Sequence, residues 1–286
     1  MNNKKINRII SSQEVMMGPI KLHQPLPNPQ LDQVDPFILI HHGGPKKQAP
    51  GGKSVMEVGA HPHRGFEPVS FIFKGSIEHK DSRGNHSIID AGGVQWMTAG
   101  MGIMHSEGPP KSFVEQGGEF EMIQLWINLP SNLKMVQPRY QGFQKEEIPT
   151  FTDQNGKVNL NVISGEYKDL KGPIDSLTKI IAYTLEMKAG GNIEIPIPEE
   201  KNTLIYQLHG STIVQDQEIG EKQLIQFSND GKQINIEAKS DSLILFLAGD
   251  PINEPVVSWG PYVMNSQTEI MEAMRDFQMG KMGVMV

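Results

Sequence analysis

Four side chains in the first half of this 286-residue chain have the types and spacing to bind a metal. His61 and His63 are separated by one residue, and so are His105 and Glu107. Residues i and i+2 of a strand point to one face, so each pair converges on one point. Pro62 cannot donate to a β ladder, which places the first pair at a strand start or a sheet edge. Gly100 and Gly102 allow a tight turn just ahead of the second pair. Two such pairs on neighbouring strands supply three imidazoles and one carboxylate. The chain has no cysteine, so thiolate sites and disulfides are excluded. Nitrogen and oxygen donors without sulfur suit Fe(II), Mn(II), Ni(II), Cu(II) or Zn(II). Four protein ligands on an octahedral ion leave two open positions for substrate and O2, so Fe(II) is the expected metal. Glu67, four residues after His63, is the rival for the carboxylate; its other role is as an acceptor behind the ligands.

The remaining histidines lack such a pattern. His41 and His42 follow the strand-like run Phe37-Ile38-Leu39-Ile40 and read as turn residues. His79 and His86 fall in a polar hairpin, Glu78 to Ser87, and read as solvated, the alternative being a role behind the ligands or in a lid. His23 and His209 have no partner pattern.

The elements that must position the four residues are strands. Short runs rich in Val, Ile and Phe end at glycine turns, as in Val69–Phe73 before Gly75, Leu204–Leu208 before Gly210 and Ser242–Leu247 before Gly249. Many such runs argue for a sandwich or barrel. Phe71-Ile72-Phe73-Lys74-Gly75-Ser76 and Tyr206-Gln207-Leu208-His209-Gly210-Ser211 match at an offset of 135, which suggests two barrels from one repeat. The expected division is 1–137, a linker over 138–150 with Pro138 and Pro149, and 151–286. Helical periodicity is convincing only near the C-terminus. Ser266 and Glu269 have capping-box spacing, Ile270, Met271, Met274 and Phe277 form a stripe, and Gly280 can end the helix. That stripe either packs on its own barrel or binds a partner; the first is preferred. The tail from Met279 is apolar and unassigned.

With 37% hydrophobic and 21% charged residues, the composition is that of a globular protein. A net charge of −7 leaves no basic face for nucleic acid. No run reaches the roughly 18 apolar residues that span a bilayer, and no signal-peptide core follows the N-terminus. A cytoplasmic location is expected.

These motifs together resemble one family. His61-Pro62-His63-Arg64-Gly65-Phe66-Glu67, Gln95-Trp96-Met97-Thr98-Ala99-Gly100 and Gly102-Ile103-Met104-His105-Ser106-Glu107 look like the pirin family, as do Asp35-Pro36-Phe37 and Gly260-Pro261-Tyr262-Val263-Met264-Asn265. The resemblance implies an all-β bicupin, two antiparallel jelly-roll barrels with a metal only in the first. The implied ligands are His61, His63, His105 and Glu107. At the repeat offset His61 and His63 fall on Pro196 and Pro198, which cannot ligate, so the second barrel is expected to be empty. The resemblance further implies quercetin 2,3-dioxygenase-like activity on a small flavonol-like aromatic with O2, Glu107 acting as fourth ligand and general base. Trp96, Met97, Phe71 and Phe73 are candidates for apolar walls, about half of them facing outward by strand alternation. Arg64 and Glu67 are candidates for support behind the ligands. Met101 and Met104 are candidates for the pocket mouth, or ordinary apolar filler. The other function the family implies is metal-dependent regulation of a protein partner, a transcription cofactor or a metabolic enzyme.

Overall fold

The computed structural model describes residues 2–285. The apolar runs are strands, closed by glycines where the chain must turn back. Phe66–Lys74 ends at Gly75 and Asn202–His209 at Gly210, both in the left-handed region, with φ of 78° and 74°. At Gly210 an added Cβ would lie 2.1 Å from the Asp241 carbonyl oxygen, so only glycine fits this turn.

The strands make two barrels of one design. In the first, a seven-stranded sheet runs in the order Arg139–Phe143, Val94–Thr98, Phe66–Lys74, Gly118–Asn128, Phe37–Gln48, Ile20–Leu26, Gln13–Met17. A four-stranded sheet runs Val58–His63, Ile103–Gly108, Ser76–Asp81, His86–Asp90. The second barrel repeats this. Its larger sheet runs Ile6–Ser11, Gln223–Phe227, Asn202–His209, Ser242–Gly249, Ile180–Met187, Val158–Ser164, Thr150–Thr152, and its smaller one Asn192–Pro196, Gln233–Ala238, Thr212–Val214, Gln217–Ile219.

The compact units cut across the division at 137 and 150. One holds Glu14–Leu22, Phe37–Lys145 and the chain from Ile252 onward; the other holds the chain up to Gln13, His23–Pro36 and Glu146–Pro251. Backbone hydrogen bonding is the reason. Ile6–Ser11 completes the second barrel's large sheet by pairing with Gln223–Phe227. Arg139–Phe143, read from sequence as linker, is the matching edge strand of the first barrel, paired with Val94–Thr98.

Near the C-terminus, Gln267–Gln278 is helical, with the Ser266 hydroxyl accepting from the Glu269 amide. Of the expected stripe only Ile270 is fully buried. Ile270 and Ala273 are fully buried and pack with Tyr262, Met264 and Met282. Met271 is 63% exposed, and Met274 and Phe277 are each 39% exposed. Among the described residues, no helix is long and apolar enough to cross a membrane.

Two further expectations are corrected. His41 and His42 lie within the strand Phe37–Gln48, not in a turn. His42 is fully buried, its Nε2 2.9 Å from Glu121 Oε1, and burial pushes the pKa of His41 down to about 4. The offset of 135 holds at Ser70 and Ile205, which occupy matching ladder positions, but not at the histidines. His61 stands opposite His105, and in the second barrel Ile193 stands opposite Ile236. Connections of different length shift the offset to 132, so the counterparts of His61 and His63 are Ile193 and Ile195, whereas Pro196 and Pro198 are exposed.

Candidate metal centre

Three adjacent strands of the first barrel's small sheet build the site. Val58–His63 is its edge strand, in keeping with Pro62. His105 lies opposite His61 on one side and Asp81 on the other, and Glu107 lies opposite His79. Each strand therefore sends an i, i+2 pair to one face: His61 with His63, His105 with Glu107, His79 with Asp81. The register slips between His105 and Glu107 against the edge strand.

His61, His63 and His105 converge with ligand atoms within 4.8 Å of one another. Nε2 of His61 is 3.1 Å from Nε2 of His63 and 2.9 Å from Nε2 of His105. Nitrogens in adjacent positions around one ion, at bonds of about 2.1 Å, lie about 3 Å apart. The hydrogen positions agree. Nδ1 of His61 donates to the Gly59 carbonyl oxygen at 2.8 Å, and Nδ1 of His63 to that of Pro261 at 3.3 Å. A carbonyl only accepts, so both rings carry hydrogen on Nδ1 and turn the Nε2 lone pair inward. Two facing lone pairs at this distance repel unless a cation lies between them. Burial, then the neighbouring imidazoles, holds His63 and His105 well below the usual histidine range, which keeps these rings neutral. The donor set therefore fits a divalent metal.

Glu107 lies on the same face but outside this close group. Its Oε1 accepts from Gln124 Nε2 at 2.5 Å, and its Oε2 from Gln95 Nε2 at 2.7 Å and Ser70 Oγ at 3.5 Å. Ser70 stands opposite Gln95 on one neighbour strand and Gln124 on the other, so a row across the large sheet meets Glu107 from the small sheet.

That row decides which wall candidates face inward. Ser70 and Gln95 point in, so Glu67, Phe71 and Trp96 point to the opposite face, while Phe73 lies at a register slip, between Ile72 and Lys74, where alternation breaks. Glu67 is fully buried there and accepts from Thr98 Oγ1 at 2.6 Å. Glu67, Phe71 and Trp96 are corrections, because strand alternation turns them from the site. Met97 points inward and packs with Ala99, Ile103 and Tyr140. Met104 alternates with His105, so it also faces away and packs with the C-terminal cluster. Met101 offers its carbonyl to Arg64 Nε at 2.7 Å. Arg64 is held as well by Asp276 on the C-terminal helix, Nη1 and Nη2 each 3.1 Å from one carboxylate oxygen.

The inward aromatic surfaces are Phe66 and Trp126. Their ring centroids lie 5.0 and 5.5 Å from that of His63 and 4.4 Å from each other. Sequence reading passed over both, as it did Ser70, Gln95, Gln124 and Tyr140. His79 is also corrected. It is buried rather than solvated, with Tyr140 stacked on it at 4.3 Å. Its spacing to Asp81, the same as in the two ligand pairs, was the available signal.

Comparison with known proteins agrees with this architecture. Residues 20–127 match the family model described as Pirin, and residues 182–283 match that of the Pirin C-terminal cupin domain. Human pirin is 34% identical over 99% of this chain and 95% of its own length. A pirin-like protein of Caulobacter vibrioides is 33% identical over 97% of this chain and 99% of its own. The crystal structure of quercetin 2,3-dioxygenase from Acinetobacter baumannii aligns with a TM-score of 0.93 at 35% identity, covering 100% of both chains. Matched by family models in both barrels and by relatives along its length, the chain belongs to the pirin family and has the bicupin fold.

Proposed function

We propose that this protein is a metal-dependent dioxygenase that opens flavonol-type substrates with O2. The observation that carries the reading is the convergence of three Nε2 atoms on one point of the first barrel. The full-length likeness to a structure described as a quercetin 2,3-dioxygenase supports the substrate class.

His61, His63 and His105 hold the metal, with Glu107 as the fourth donor. When bound there, Fe(II) supplies Lewis acidity toward the flavonol oxygens and redox access to O2. Glu107 takes the proton of the flavonol 3-hydroxyl as general base. An ionised carboxylate has about four acceptor sites, and Gln124, Gln95 and Ser70 engage three of them. The remaining site is on Oε1. That single site would serve either the metal or the proton, so Glu107 would accept the proton when it is not a metal donor, its carboxylate plane held by the two amides. Trp126, half-buried beside His63 and backed by Phe66, offers an aromatic surface suited to an aromatic substrate. In the balanced reaction both oxygen atoms enter the ring-opened ester and one carbon leaves as carbon monoxide.

The test is turnover. Protein loaded anaerobically with Fe(II), then given quercetin and O2, consumes flavonol and releases one carbon monoxide per flavonol. His61→Ala falls to background, and Glu107→Gln lowers kcat by about 100-fold or more. Metal-loaded wild type that leaves the flavonol untouched, while retaining a protein partner on pull-down, would replace this reading with the regulatory one.

A further inference from the structure

The tautomers of His61 and His63 are set by backbone carbonyls, but that of His105 is not. Its Nδ1 lies 3.5 Å from Nδ1 of His79, another ring nitrogen, which can either donate or accept. The deciding group is one step further back. His79 Nε2 is 3.2 Å from Asp81 Oδ2.

We infer that Asp81 and His79 are positioning residues that fix the tautomer of His105, so that its Nε2 lone pair faces the metal. Ionised Asp81 can only accept, so His79 carries its hydrogen on Nε2 and presents a lone pair at Nδ1. His105 then donates from Nδ1, and its Nε2 is left free, as in the other two rings. This carboxylate–histidine–histidine chain extends by one ring the familiar arrangement in which a carboxylate orients a metal-bound imidazole. The inference rests on the metal-binding reading of the three histidines and not on the flavonol chemistry.

The surroundings of Asp81 make the chain directional. Oδ1 accepts from the backbone amides of Arg83 at 2.9 Å and Asn85 at 3.0 Å. Oδ2 accepts from Asn85 Nδ2 at 2.8 Å as well as from His79. Two fixed amides therefore require an oxygen at the Oδ1 position. In Asp81→Asn the side-chain NH2 must take the other position, facing His79. It would donate to His79 Nε2, move the His79 hydrogen to Nδ1, and so force the His105 hydrogen onto Nε2. Tyr140 stacks on His79 with an interplanar angle of 20°, which holds the ring in plane for this relay. The same exchange at the carboxylate of a Ser–His–Asp triad keeps the geometry and gives the wrong tautomer.

Long-range 1H–15N NMR of the metal-free protein at about pH 8, where unperturbed imidazoles are neutral, reads the tautomers directly. In wild type, His105 is expected to carry hydrogen on Nδ1 and His79 on Nε2; in Asp81→Asn both are reversed. Co(II) titration followed by visible absorption is expected to show affinity about 10–100-fold lower in Asp81→Asn. Hydrogen on Nε2 of His105 in wild type overturns the inference, and so does Asp81→Asn with unchanged tautomers and affinity. If Asp81→Asn fails to fold, the wild-type spectrum decides alone. Should His61→Ala keep wild-type Co(II) affinity, the metal reading fails, and the metal-free spectrum still decides the chain.

Discussion

In the first barrel His105 stands between His61 and Asp81; at the same place in the second, Ile236 stands between Ile193 and Val214. Glu107 lies opposite His79, and its counterpart Ala238 lies opposite Thr212. The row Gln95, Ser70, Gln124 becomes Ile225, Ile205, Phe246. Strand order is the same, yet one interior carries a hydrogen-bonded polar layer beside its apolar cluster of Ile72, Ile77, Phe120 and Met122, and the other a continuous apolar cluster that includes Ile193, Ile195, Val214, Ile234 and Ile236. Each buried isoleucine contributes about 1.5–3 kcal/mol. Each buried imidazole instead needs a partner on both nitrogens or it destabilises. The fold tolerates either filling, and in the first barrel His61, His63 and Glu107 are each supplied with partners.

Grafting sharpens this contrast most. Ile193→His, Ile195→His and Ile236→His together place three imidazoles in the second barrel without partners for their Nδ1 atoms. Urea unfolding is expected to show a loss of about 6 kcal/mol, taken as about 2 per unpaired buried group, with no metal bound at the graft. A stable, metal-binding graft would show that ligands alone suffice. The reverse exchange, His63→Ile, is expected to lower metal affinity more than about 100-fold, beyond the usual cost of losing a supporting residue, while Tm stays within a few degrees of wild type. Unchanged affinity would remove His63 from the site. The smallest effect tests the register. Pro196→Ser, at an exposed position rather than an interior one, is expected to shift stability by no more than about 0.5 kcal/mol; a loss of core-like size would restore Pro196 as the counterpart of His61.

The convergence of His61, His63 and His105 was legible because strand periodicity alone brings i and i+2 together, and Pro62 marked the edge. Glycine turns and the C-terminal capping box were legible for similarly local reasons. What stayed hidden depends on residues far apart in sequence. The acceptors for His61 and His63 are main-chain carbonyls, which no side-chain pattern announces. Gln95 and Gln124 are uncharged residues inside strands, and only ladder register shows that they meet Glu107. Phe71 and Trp96 looked like pocket walls because their side chains suit one, and strand parity turned them away. His79 was misread because a polar hairpin usually faces solvent. The domain boundary was misread because edge-strand pairing does not follow sequence distance.

The Pro261 carbonyl that orients His63 lies 198 residues further along the chain. Biosynthesis proceeds from the N-terminus, and domains usually complete themselves as they emerge. Here a nascent chain already displaying all three histidines lacks the group that sets one of their hydrogens. The second barrel has the opposite problem, since Ile6–Ser11 is made early and waits for Gln223–Phe227. Every segment of the second unit is made by Pro251, whereas the first needs the chain from Ile252 onward, so the barrel whose first strands are made early is the later one to complete, and the orientation of His63 waits for the segment around Pro261.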